Sequence, residues 1–102
     1  MPVPDIDIQI AVENEIDLDF PSLWGVRFLN DDYTPMEFVI SVMMQFFGQT
    51  FEQAEELTVL IHEKGQAVLG AYTKDVADTK AITAENSARN FGHPLRLEAV
   101  EV

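Results

Sequence analysis

The 102-residue sequence contains no cysteine, which excludes disulfide bonds, thiolate metal ligands and a cysteine nucleophile. The same absence is compatible with a reducing compartment. No apolar stretch approaches the ~18–20 residues that a membrane-spanning helix needs. The first ten residues carry acids and no base, so we do not expect a secretory signal in them.

Basic residues are also scarce. Six Lys and Arg face eighteen Asp and Glu, which gives a net charge of −12 with neutral histidines. Such a surface repels phosphate groups, so neither nucleic acid nor an anionic membrane is expected as a partner. Cationic groups on a partner are favoured. The length predicts one domain with one small core.

The acidic residues divide the chain unevenly. Residues 1–23 hold six acids and no base, and we interpret this segment as an acidic, flexible extension outside the core. Residues 24–102 hold all six bases and form the predicted domain. Within the extension, Asp5–Ile10 alternates polar and apolar residues, which also allows a strand at a sheet edge.

Hydrophobic periodicity and turn residues predict six elements after residue 23. Thr34 is the expected N-cap of the first helix, with Pro35 in its first position and Glu37 closing a capping box. Thr50 and Gln53 form the corresponding pair of the second helix. In chain order the predicted elements are a strand from Trp24 to Leu29, a helix to about Phe47, a helix from Thr50 to Gly65, a strand over Gln66–Tyr72, a helix over about Lys74–Phe91 and a strand over Leu95–Val100.

This order of elements predicts a mixed α/β (α+β) domain, with helices on one face of one small sheet.

Few residues are candidates for a catalytic or metal-binding site. His62 and Glu63 lack the second histidine of a zinc-protease motif, because Gln66 stands at that position, and no metal site or cofactor is expected. Asp31 and Asp32 fit either an acid/base pair or ordinary turn residues. His62 is expected to be partly buried near the end of the second helix.

Four stretches resemble the ClpS family of bacterial Clp protease adaptors. The longest, FLNDDYTPMEFVI, resembles the signature of the family, and the others follow in the family's order and spacing. The resemblance covers about residues 24–100 and includes no match before Trp24. The four stretches are Phe28–Ile40, His62–Ala67, Tyr72–Lys80 and His93–Leu95.

The resemblance implies an adaptor without catalytic activity. It implies a three-stranded antiparallel sheet with three helices on one face, in the order β-α-α-β-α-β. Such an adaptor binds proteins whose first residue is Phe, Leu, Tyr or Trp, known as N-degron substrates. It delivers them to an AAA+ unfoldase of the ClpA or ClpC type, which works with the ClpP protease. A cytoplasmic, monomeric protein is implied. The acidic extension resembles the family's flexible tail in its length and its lack of core residues, but not in its sequence.

The family's amine-binding positions correspond to Asn30, Asp32 and His62, with Asp31 beside them. A terminal ammonium presents three N–H donors, and amide, carboxylate and neutral imidazole groups each supply an acceptor. The family's hydrophobic pocket corresponds to Thr34, Met36, Val39, Thr58, Ile61 and Leu95. The family's unfoldase contact corresponds to Asp75, Asp78 and Lys80, which also fit a solvated helix face.

Thr58 departs from the family pattern, in which most relatives carry Met at the pocket rim. The shorter, β-branched side chain predicts a wider rim and a shifted preference among the four first residues. Two alternatives remain. One is a Clp regulator that redirects or inhibits substrate choice without recognising N-degrons. The other is a hydrolase built on Asp31, Asp32 and His62.

Overall fold

The computed structural model describes residues 22–102. All but the last two residues of the expected extension, residues 1–23, lie outside the described residues, as does the strand predicted at Asp5–Ile10. The order β-α-α-β-α-β is confirmed. The elements are β1 (Trp24–Leu29), α1 (Met36–Phe47), α2 (Phe51–Lys64), β2 (Gln66–Tyr72), α3 (Lys74–Asn90) and β3 (Arg96–Glu101).

The three strands form one antiparallel sheet in the order β2-β1-β3. On the inner face Phe28 of β1 lies opposite Ala67 of β2 and Leu97 of β3, and all three are buried. One position earlier, Arg27 points to the other face because side chains alternate along a strand. There it lies 3.4 Å from the Glu98 carboxylate in a partly exposed ion pair.

The helices pack on the inner face of the sheet and enclose the core. The Phe28 ring is fully buried and meets Phe47 of α1 edge-to-face, with 5.2 Å between ring centroids. Small side chains on α3 let its backbone approach the sheet closely. The buried alanines of that helix are Ala77, Ala81, Ala84 and Ala88.

The second helix begins as the sequence predicts, but the first does not. Thr50 and Gln53 form both bonds of the capping box. In α1 the N-cap is Pro35, without a side-chain hydrogen bond, so the prediction of Thr34 as N-cap is wrong. Pro35 is extended, with ψ of 144°, so the helix begins one residue later than predicted. Thr34 belongs instead to the preceding turn, where its hydroxyl donates to the Asp31 carboxylate at 2.8 Å.

The C-terminal ends of the helices agree more closely with the sequence prediction than the start of α1 does. Gly48 and Gly65 follow α1 and α2 with φ of 65° and 92°, a left-handed conformation that glycine adopts without a Cβ clash. The third helix ends at Asn90, one residue before the predicted Phe91, and β3 begins one residue after the predicted Leu95. Within residues 22–102, no helix is both long and apolar enough to span a membrane.

Four segment ends meet at one end of the sheet. Leu29, the last residue of β1, pairs with the first residues of β2 and β3. The backbone N–H of Asn30 donates to the Gly65 carbonyl at 3.0 Å, which ties the loop after β1 to the end of α2. These ends, with the start of α1, bring together the residues of the candidate site.

Candidate functional site

A cavity of about 240 Å³ opens at this end of the sheet. All ten residues predicted to bind an amine or to line a pocket surround it, and Leu29 is the one lining residue that the prediction missed. Leu29 is half-buried, and its side chain lies on the sheet face opposite the core. Its position directly before Asn30 is therefore the one sequence signal that could have placed it in the lining of the cavity. The lining residues are Leu29, Asn30, Asp31, Asp32, Thr34, Met36, Val39, Thr58, Ile61, His62 and Leu95.

The polar side chains lie at the solvent end of the cavity. Asn30, Asp32 and His62 are all exposed. The expectation of a partly buried His62 is wrong, because it follows the buried Ile61 in the last turn of α2 and turns outward. Among the residues that the structure describes, none forms a hydrogen bond with these three side chains. Their acceptor atoms are therefore available to a ligand.

Asp31, unlike Asp32, accepts hydrogen bonds from within its own loop. One of its carboxylate oxygens accepts from the backbone N–H of Tyr33 at 2.8 Å and of Thr34 at 2.7 Å. The other accepts from the Thr34 hydroxyl. Both oxygens thus hold the loop in shape, which favours the interpretation of Asp31 as a turn residue over that of half an acid/base pair.

The titration of Asp31 reflects these bonds. Partial burial by itself acts to raise the pKa of Asp31. The N–H groups of Tyr33 and Thr34, the Thr34 hydroxyl and the charge of His93 outweigh it and leave the pKa below its ordinary value. A lowered pKa keeps the carboxylate ionised, so the loop retains its acceptor until the pH falls below the usual range for aspartate.

The interior of the cavity is apolar. Val39, Ile61 and Leu95 are 7%, 5% and 1% exposed. Met36, at 46%, stands at the mouth. The cavity therefore changes from polar acceptors outside to hydrocarbon inside, which suits a ligand with a cationic head and an apolar side chain.

Thr58 is buried in the wall of the cavity. Its hydroxyl donates to the Ala54 carbonyl at 2.7 Å and lies 3.8 Å from the Met43 sulfur. The hydroxyl is thus committed to its own helix and is not a spare donor for a ligand. The wider rim inferred from the sequence stays a prediction.

The loop that carries Leu95 is braced from α3. The Arg89 guanidinium donates to the carbonyls of His93 and Leu95, both at 2.8 Å. The Glu85 carboxylate accepts from the Leu97 backbone at 2.8 Å. Sequence reasoning assigned no role to Arg89 or Glu85, because neither contact follows from helical periodicity. Both fix the segment that closes the apolar interior.

The three residues predicted to contact an unfoldase lie elsewhere, on α3. Lys80 donates to the Phe46 carbonyl at 2.7 Å and lies 5.3 Å from the Tyr72 ring centroid. Lys80 therefore joins α3 to the end of α1 instead of extending fully into solvent. Asp78 pairs with Lys74 at 2.9 Å, and Asp75 is exposed.

Within residues 22–102, no group of three or more His, Asp or Glu side chains is arranged to hold an ion. The chemistry that the cavity offers is recognition of a donor-rich head group beside an apolar side chain.

Comparisons with known proteins all indicate the same family. The model of a family described as ATP-dependent Clp protease adaptor protein ClpS matches residues 19–98. The ClpS adapter of Deinococcus radiodurans is 51% identical over 79 residues, covering 78% of this chain and 70% of the relative. That of Herminiimonas arsenicoxydans is 38% identical over 102 residues, covering 100% of both. A solved structure of Agrobacterium tumefaciens ClpS2 bound to L-phenylalaninamide matches with a TM-score of 0.78 and 34% identity, covering 81% of this chain and 100% of that one.

Proposed function

This chain belongs to the ClpS family of ATP-dependent Clp protease adaptor proteins, and we propose that its cavity binds the free N-terminal Phe, Leu, Tyr or Trp of substrate proteins. The observation that carries the proposal is the change from exposed polar acceptors to a buried apolar interior within one cavity of about 240 Å³. The bound L-phenylalaninamide of the similar structure has the same two parts, an α-amine and a phenyl side chain.

The α-amine of the substrate is held by Asn30, Asp32 and His62. A free N-terminus has a pKa near 7.7–8.0, so at neutral pH it is largely an ammonium with three N–H donors. An unpaired donor in a buried site costs roughly 1–3 kcal/mol. The Asn30 amide oxygen, the Asp32 carboxylate and a ring nitrogen of neutral His62 supply one acceptor each. Asp31 adds negative potential and holds the loop that carries Asn30 and Asp32.

The first side chain of the substrate enters the apolar part of the cavity. Val39, Ile61 and Leu95 form its interior, and Met36 forms the mouth. Full burial of a Phe or Leu side chain contributes about 1.5–3 kcal/mol. Amine and side chain are thus recognised together, which restricts binding to chain termini with a large apolar first residue.

The partner we propose is a Clp unfoldase of the ClpA or ClpC type in the cytoplasm, bound by a monomeric adaptor. Asp75, Asp78 and Lys80 on α3 are the proposed contact. Because Lys80 also anchors α3 to α1, Asp75 and Asp78 are the more accessible part of that surface. We also propose the division into an acidic extension, residues 1–23, and an adaptor core, residues 24–102.

A binding titration without any unfoldase tests this function. A labelled peptide beginning with Phe is titrated with the chain, and fluorescence anisotropy records the complex. We expect saturable binding with the peptide recovered intact. A regulator that acts only through the unfoldase gives no binding in this assay. A hydrolase cleaves the peptide, which mass spectrometry of the mixture detects. Either result contradicts the proposed function.

A further inference from the structure

A tight turn connects α3 to the segment that forms one wall of the cavity. The Gly92 N–H donates to the Arg89 carbonyl at 3.0 Å, and the His93 N–H donates to the Ala88 carbonyl at 2.8 Å. These two bonds form the Schellman arrangement that reverses a chain at the end of a helix. The chain therefore passes from α3 directly into the segment His93–Leu95.

The segment His93–Leu95 lies between two regular elements. Pro94 has no N–H and cannot donate a backbone hydrogen bond, and β3 begins only at Arg96. Leu95 is nonetheless 1% exposed and lines the cavity. Its position therefore depends on contacts that come from outside the segment.

Arg89 supplies contacts of this kind. A single guanidinium nitrogen, Nη1, donates to the carbonyls of His93 and Leu95, both at 2.8 Å. The two carbonyls flank Pro94, so one side chain spans the whole segment. A guanidinium holds its donors in a rigid plane, whereas a lysine ammonium is a point charge on a flexible stem. Arg89 is itself exposed, so replacing it removes these bonds without opening the core.

The turn is also held from α1. The Phe38 ring lies 4.8 Å from the His93 ring and 5.6 Å from the Phe91 ring, measured between centroids. Phe38 directly precedes Val39, which lines the cavity. These aromatic contacts fix the start of the segment, whereas the bonds from Arg89 extend to Leu95 itself.

We propose that Arg89 is a positioning residue that sets the selectivity of the cavity for large first residues. By holding the Leu95 carbonyl, Arg89 keeps the Leu95 side chain in the wall that a large apolar side chain contacts. A small first residue such as Ala does not fill the interior and is indifferent to this wall. The inference rests on the proposed function, because it concerns the first side chain of a bound substrate.

The test compares peptides that begin with Phe, Leu or Ala and are otherwise identical. Arg89→Met keeps the length of the side chain and removes its donors. Because each intramolecular hydrogen bond has a modest net effect, we expect the ratio of Phe to Ala affinity to fall by about three- to tenfold, with a smaller fall for Leu. The affinity for the Ala peptide should stay within about twofold. Competition against a labelled Phe peptide measures all three affinities.

Two control variants separate positioning from changes in charge and in stability. Arg27→Met makes the same substitution on the outer face of the sheet, where Arg27 pairs with Glu98. Thr73→Ala removes the side-chain cap at the opposite end of α3 and should lower the melting temperature. Both controls should keep the Phe-to-Ala ratio of the parent chain, even where Thr73→Ala is less stable than Arg89→Met.

Arg89→Lys tests the geometry of the contact and keeps the positive charge. A lysine can reach a carbonyl but lacks the rigid plane of the guanidinium, so we expect a ratio between those of the parent and Arg89→Met. This variant also carries the test if Arg89→Met does not fold. A parent ratio in Arg89→Lys, with no folded Arg89→Met, would overturn the inference.

The outcomes distinguish the inference from the function on which it rests. If the parent chain binds the Phe peptide no better than the Ala peptide, the proposed function fails. If the parent prefers Phe and Arg89→Met keeps the full ratio, the inference fails alone. It also fails if Arg89→Met weakens all three peptides equally, or if Thr73→Ala lowers the ratio as much as Arg89→Met does, because Arg89 then supports the domain as a whole.

Discussion

Acetylation of the α-amine is expected to weaken binding of a peptide beginning with Phe by at least about 100-fold. The modification removes the positive charge and two of the three N–H donors, while Asn30, Asp32 and His62 keep their acceptors. Desolvated groups left without a partner cost roughly 1–3 kcal/mol each, and about 2.7 kcal/mol corresponds to a factor of 100. Competition of each peptide against a labelled free-amine peptide measures the ratio.

Variants show whether this loss arises at the proposed amine site. Asn30→Ala and His62→Ala should each weaken the free-amine peptide at least severalfold and leave any residual affinity for the acetylated peptide nearly unchanged. Both side chains are exposed and make no hydrogen bond with another residue in the described part of the chain, so the fold should tolerate the changes. Equal affinity for the free and the acetylated peptide would show that the three acceptors do not bind the amine.

Replacing the first residue Phe by Ala is expected to weaken binding by roughly 10- to 100-fold. The Ala peptide keeps its ammonium but leaves the apolar interior at Val39, Ile61 and Leu95 unfilled, which forfeits about 1.5–3 kcal/mol of burial. Ile should bind more weakly than Leu, because its branched β-carbon meets the mouth of the cavity at Met36. Isothermal calorimetry of the series gives the affinities.

Thr58 provides the matched control for this series. Thr58→Val removes the hydroxyl that is bonded to Ala54 and preserves the shape of the side chain, so the ranking of first residues should hold. Thr58→Met places a longer, unbranched side chain in the cavity wall and should shift the ratios among Phe, Leu, Tyr and Trp a few-fold. A series in which Ala equals Phe would mean that the cavity does not receive the first side chain.

The sequence predicts most of the fold because its signals are local. Gly48 and Gly65 end helices, and the Thr50–Gln53 pair begins one, through contacts within a few residues. The failure at Thr34 is also local, because the turn held by Asp31 includes Thr34 and the helix begins one residue later than the capping motif predicts. The Asp31 carboxylate accepts charge-assisted hydrogen bonds from the N–H and the hydroxyl of Thr34, which hold this residue in the loop.

The composition of the cavity could be predicted only through the family resemblance. Asn30, His62 and Leu95 lie on three separate segments, and no periodicity in the chain shows that they meet. Contacts between distant segments were missed where no motif indicated them. Lys80 anchors to Phe46 across 34 positions, and Arg89 of α3 donates to the Leu95 carbonyl in the loop before β3.

The most direct test of the central claim is a map of the bound peptide on the protein. In two-dimensional NMR spectra of the isotope-labelled chain, saturation with a peptide beginning with Phe is predicted to shift the side-chain signals of Asn30 and His62. The methyl signals of Met36 and Leu95 should move in the same titration, while those of Val68 on the outer face of the sheet remain unchanged. Saturable binding that leaves Asn30, His62 and Leu95 unperturbed and shifts signals elsewhere would contradict the account.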